Sequence, residues 1–102
     1  MSNGNEIFGM RLKTLRIESG LSQKQLGTLA GIDEFVASTR INRYEQAVHR
    51  ADYSIAQRIA QVLNAPVAYF YTDDEKMASM ILSFHRSTTK RKSEIVKFIK
   101  NS

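Results

Sequence analysis

Residues 20–31 read GLSQKQLGTLAG, a stretch that combines a tight turn, a capped short helix with one apolar face, and a second turn. Gly20 is suited to a left-handed helix C-cap, because it lacks the Cβ that penalises positive φ. Ser22 then caps the next helix. Gln25, three residues on, completes a candidate capping box, in which the Ser hydroxyl meets a free backbone N–H while the Gln side chain reaches back. Helical spacing turns Leu21, Leu26, Leu29 and Ala30 inward and leaves Gln23, Lys24 and Thr28 to water. Gly31 breaks this helix, and Asp33 is placed to cap another.

Working outward, helix signals run through almost the whole chain and no segment makes a convincing strand, which predicts an all-α fold. A first helix is expected from about Glu6 to Ser19, burying Phe8, Leu12 and Leu15, with Arg11, Lys13 and Arg16 around it. The second covers about Gln23 to Ala30. The third, opened by Asp33, extends to about Gln46 with Ala37, Ile41 and Tyr44 along one side. A fourth starts after Asp52, a good N-cap, and carries Ile55, Ile59, Val62 and Leu63 inward up to Asn64. Pro66 suits the first turn of a short fifth helix containing Val67 and Phe70, where its missing N–H is no loss.

Beyond Tyr71 the composition shifts. Thr72 and Glu75 form a second candidate capping box, and Asp73, Asp74 and Glu75 lie where a helix dipole favours negative charge. A sixth helix to about Arg86 carries Met77, Met80, Ile81 and Phe84. After the polar break Ser87, Thr88 and Thr89 comes a seventh helix with Ile95, Val96, Phe98 and Ile99, its start blurred by Lys90, Arg91 and Lys92. This divides the chain into residues 1–71 and a two-helix extension, 72–102.

The 102 residues suffice for one modest core and not for two independent ones. Zero cysteines exclude disulfides and thiolate metal sites and fit a reducing compartment. No apolar run approaches membrane-spanning length, and MSNGNEIF lacks a charged-then-apolar secretory pattern, so a cytoplasmic protein is expected. A net charge of +5 favours a polyanionic partner. His49 and His85 are far apart without metal-ligand spacing, and no nucleophile stands in a recognisable base-paired arrangement. There is no phosphate-cradling glycine loop either. The expectation is a non-enzyme without metal or cofactor.

Over residues 8–71 the chain resembles the phage-repressor and Cro-like helix-turn-helix regulators. The resemblance is carried by RLKTLRIESGLSQKQLGTLAGI, then INRYEQA, then IAQRIAQVLNAPVAYFY, which match in order the first three helices, the end of the recognition helix, and helices four and five. It implies a five-helix domain that places helix three in the DNA major groove, usually as a dimer on paired half-sites. Many members of this class are transcriptional repressors.

By position, the resemblance puts Gln23 where such domains touch the DNA backbone. A polar side chain beside free N–H groups at a positive dipole end is a natural phosphate ligand. Lys24 adds a charge. Ile41 matches a buried aliphatic, which leaves Ser38, Thr39, Asn42 and Arg43 facing the groove. The planar fork of Arg43 suits guanine O6 and N7, while Asn42 suits adenine N6 and N7. Ser38 and Thr39 suit bases or phosphate. The loop Gln46 to Ala51 corresponds to one that runs along the backbone, which makes Arg50 a phosphate ligand assisted by His49. Arg16 and Glu45 fall on the pair that forms a buried salt bridge in this class, with an orientational role for helix three.

The chain departs from the pattern in two places. IDEFVASTR, between Gly31 and Ile41, is longer than the compact motif by roughly four residues, about one helical turn. The preferred reading is a recognition helix lengthened at its start, with Glu34, Phe35 and Val36 in the added turn; a longer loop is the alternative. Gly27, Ala47 and Ala51 stand where the family usually has alanine, glycine and proline. The apolar stripes after residue 72 need a cover, which is either a helical hairpin contributing to a homodimer or intramolecular closure. Lys90, Arg91, Lys92, Lys97 and Lys100 form either a solvated basic face or a secondary DNA- or membrane-surface patch. Two functions compete: a dimeric operator-binding repressor, and a protein-interaction module, for example an antitoxin-like partner with secondary DNA binding.

Overall fold

The computed structural model describes residues 3–102, so Met1 and Ser2, which open the expected first domain, lie outside the described residues. Six α-helices and one 3-10 helix follow in order: α1 Gly4–Glu18, α2 Gln23–Leu29, α3 Glu34–Glu45, α4 Tyr53–Val62, the 3-10 helix Val67–Tyr71, α5 Glu75–His85 and α6 Thr89–Lys100. The fold is all-α. The short segment after Pro66 is a 3-10 helix rather than an α-helix, and it inserts Tyr69 and Phe70 into the core.

Side-chain caps set most of the boundaries. Asn3 starts α1 two residues earlier than expected, its Oδ1 accepting from the N–H of Glu6. At α2 the capping box forms in full: Gln25 N–H donates to Ser22 Oγ at 3.0 Å, and Ser22 N–H donates to Gln25 Oε1 at 2.8 Å. Asp33 and Asp52 cap α3 and α4. The expected Thr72–Glu75 box does not form. Asp74 caps α5 instead, while Thr72 Oγ1 donates back to the Ala68 carbonyl and Glu75 is drawn to Arg11. Thr88 fixes the start of α6 that the three cations left unclear.

Gly20 (φ 73°) and Gly31 (φ 84°) end α1 and α2 in the left-handed region. In each case the residue after the glycine donates to a carbonyl five residues back, Leu21 to Arg16 and Ile32 to Gly27, closing a Schellman motif. The same pattern ends α3 and α4 on Ala47 (φ 60°) and Asn64 (φ 51°). At Ala47 the geometry is imposed on a residue with a Cβ.

One core joins Phe8, Leu12 and Leu15 of α1 with Leu26, Ala37, Ile41, Tyr44, Ile55, Ile59, Leu63 and Phe70. Leu29, expected inward, is 62% exposed; Ala30, as expected, and Ile32, in the turn after α2, are the buried residues there. Arg11, expected on the outside of α1, is 5% exposed. It donates twice to the Thr72 carbonyl (3.0 and 2.7 Å), pairs with Glu75 at 2.9 Å and lies over the Tyr69 ring, so its charge is buried with partners. At the far end of α5, Arg86 donates to the carbonyls of Leu63 and Asn64, which end α4. Between these two fastenings Ala78 is buried in the common core, with Ile81 and Leu82 packed against it.

The last helix stands apart. No residue of α6 is buried. The radius of gyration, 14.7 Å, exceeds the roughly 13 Å typical of a compact chain of this size. Between α5 and α6 runs an open apolar cavity of about 660 Å³ lined by Met77, Met80, Ile81, Phe84, Ile95 and Ile99.

Candidate nucleic-acid interface

Only four residues, 30–33, join α2 to α3, so the residues beyond the short motif lie in the first turn of α3 and not in a loop. With Ala37 and Ile41 fully buried and Tyr44 nearly so, the helical repeat fixes which side chains face out. Ser38, Thr39, Asn42 and Arg43 are all exposed. Phe35 shares the outward stripe with Thr39 and Asn42 at spacings of four and seven.

Two glycines allow α3 to lie this close to its neighbours. A Cβ on Gly27 would come within 2.7 Å of the Ala37 Cβ. One on Gly9 would sit 2.6 Å from the carbonyl oxygens of Tyr44 and Glu45. The approach of α1 to the end of α3 at Gly9 was not foreseen from the sequence.

Behind the outward face lies a polar network. Arg16 Nε donates to Glu45 Oε2 at 2.6 Å and Nη2 to Oε1 at 3.2 Å, a fork-to-fork pair. A third donor, Nη1, reaches the Leu21 carbonyl at 3.0 Å, tying the pair to the turn after α1. The two side chains are 13% and 1% exposed. Gln23, expected in water, is half-buried: its Nε2 donates to Glu45 Oε1 at 3.0 Å and to Asn42 Oδ1 at 3.1 Å. Among the described residues no buried side-chain nitrogen or oxygen lacks a partner.

This wiring changes what Gln23 offers. Both of its amide hydrogens are used within the protein, so it orients Asn42, and what the start of α2 offers a ligand is its first-turn backbone N–H groups, which have no intrahelical acceptor. Lys24 is exposed. Arg40, not singled out in the sequence, lies along α3 with Nη2 donating to the Tyr44 hydroxyl at 2.7 Å.

His49 and Arg50 are exposed in the loop before α4 and make no side-chain hydrogen bond to the α3 network. Arg50 borders a surface depression with Tyr53 and Tyr71. Partial burial raises the pKa of the Tyr71 hydroxyl, and the Arg50 charge offsets part of that rise. Tyr53, 66% exposed at the first position of α4, is a polar neighbour of Arg50 that the sequence reading passed over.

A compact turn joining two helices locked by small residues, with an exposed polar face on the second, defines a helix-turn-helix. The family model described as "Helix-turn-helix domain" matches residues 7–69. The chain therefore belongs to the helix-turn-helix domain family. It is 37% identical over 65 residues to an uncharacterized HTH-type transcriptional regulator of Sinorhizobium medicae (strain WSM419), and equally so to one of Rhizobium meliloti (strain 1021). Each match covers 64% of this chain and 44% of the relative, so the chain spans less than half the length of these regulators. The crystal structure of the transcriptional regulator BswR superimposes with a TM-score of 0.85 at 42% identity, over 92% of this chain and 93% of that one.

Proposed function

We propose that this chain is a sequence-specific DNA-binding repressor that places α3 in the major groove of an operator and binds as a homodimer in the cytoplasm. The observation that carries the reading is the outward face of α3, with Asn42 held from behind by Gln23 and the Arg16–Glu45 pair. In this reading Arg43 reads guanine and Asn42 adenine, with Ser38 and Thr39 beside them. The start of α2, with Gln23 and Lys24, and the loop carrying His49 and Arg50 meet phosphates, which position the helix without reading sequence. The ion pair sets how α3 leaves the core.

Residues 1–71 form the DNA-binding domain, and the extension 72–102 supplies the dimer contact. In support, Met77, Met80, Phe98 and Ile99 are each more than half exposed, and no residue of α6 is fully buried, so this apolar stripe calls for a cover from outside. The same exposed stripe favours the second reading, in which a different protein covers it and DNA binding is secondary.

A gel shift on genomic fragments upstream of the protein's own gene, run as a salt series, tests the proposal. Retardation that weakens steeply as salt rises is expected, with protection in paired half-sites about one helical turn, or a multiple of it, apart. A folded sample that retards no fragment at low salt overturns it.

A further inference from the structure

The added first turn of α3 brings out a residue that the polar interface leaves unused. Phe35 is 88% exposed, more than any other large apolar side chain of the described residues, and it lies on the stripe of Thr39 and Asn42. Side chains of a helix lean toward its N-terminus, so the ring projects from the leading end of α3, one turn, roughly 6 Å, ahead of Thr39. That end of a recognition helix is the one that meets base edges. The acidic neighbours are otherwise placed. Asp33 accepts from the Phe35 N–H as the helix cap, and Glu34 borders a shallow depression with Lys24 and Leu29 on the α2 side.

We propose that Phe35 is a specificity residue whose ring packs on the 5-methyl group of a thymine at the edge of each half-site, the one base mark in the major groove that is apolar. This rests on the DNA-binding reading above. Along its stripe Phe35 is followed by the polar Thr39 and Asn42, and its one exposed apolar neighbour within α3 is the smaller Val36, so it is a lone aromatic on this helix. That suits a single methyl contact, whereas a protein partner takes a contiguous apolar patch. Its continuity with the outward face of α3 places it against the same ligand.

The test uses duplexes selected from a random pool by the full-length protein, then remade with deoxyuridine replacing one thymidine at a time, which deletes only the methyl. Wild type is expected to lose roughly three- to tenfold in affinity at one thymine per half-site, in line with one buried methyl group. Phe35→Ala should bind the parent duplex more weakly by a similar factor and show no further loss at that position. Two results overturn the proposal while leaving DNA binding intact: no uracil substitution affects wild type, or Phe35→Ala retains the same uracil penalty. A Phe35→Ala protein that sediments as a monomer while wild type is a dimer overturns it in favour of a contact between copies. Failure to select any duplex at low salt refutes the DNA-binding reading itself, and this inference with it.

Discussion

Removing Arg16 tests whether the buried pair holds the recognition helix in place. Arg16→Ala leaves the Glu45 carboxylate, 1% exposed, with only the Gln23 amide at 3.0 Å, and it removes the donor to the Leu21 carbonyl. Breaking one side of a buried ion pair costs about 3–5 kcal/mol. The retained Gln23 hydrogen bond offsets about 1 kcal/mol, which puts the loss near the lower end, ~3 kcal/mol. For a chain of this size that is a fall of roughly 12–24 °C in Tm. Urea unfolding followed by circular dichroism measures it, with an unchanged m-value reporting that the same surface is exposed. The double variant Arg16→Met with Glu45→Leu removes both charges and should regain most of the loss, because a well-packed apolar pair often replaces a buried ion pair at little cost. If Arg16→Ala lies within about 1 kcal/mol of wild type, or the double variant is as unstable as the single one, the stranded-charge argument is wrong.

Four other outcomes follow from the geometry. Gly27→Ala should destabilise by about 1 kcal/mol despite better helix propensity, since overpacking against Ala37 outweighs the gain, and an added Ala37→Gly should recover part of it. Ala47→Gly should raise stability by about 1 kcal/mol in the same urea assay, by relieving a left-handed Cβ at the end of α3. In DNA titrations against a panel of operator variants, Arg43→Ala should lose about 1–3 kcal/mol and relax preference at one base pair; equal loss on every variant would demote Arg43 to a backbone contact. Gln23→Ala should weaken all sites and also relax preference at the base read by Asn42, whose side chain it holds.

The fold was legible wherever a local signal had a single solution. Ser22 with Gln25, Asp33, Asp52, Gly20 and Gly31 each act within a few residues of themselves, and each ends or starts a helix as read. Thr72 with Glu75 shows the limit. The spacing matched a capping box, but a buried guanidinium competed for the carboxylate, and Asp74 was next in line as cap. Arg11 was illegible for the same reason, because its burial depends on a carbonyl 61 residues away. Periodicity assigned Ala37, Ile41 and Tyr44 to the core and so assigned the outward face of α3. It did not reveal that Gln23 spends both donors on Glu45 and Asn42, a geometry fixed only when α2 and α3 cross on Gly27. The added residues of α3 were legible in number, and the compact turn decides between the two readings of where they lie.

The two arginines that fasten α5 make it a rigid bracket. Arg11 pins one end to α1 and Arg86 pins the other to the last turn of α4, so α5 cannot swing without breaking bonds at both ends. Ser87 and Thr88 join it to α6, a helix in which no residue is fully buried. If a partner covers α6, as proposed above, that contact lies outside the two fastenings, and α3 keeps its place on α1 and α2. Substitutions on the surface of α6 are therefore separated from the packing that aims α3, because no residue of α6 belongs to the core that holds it.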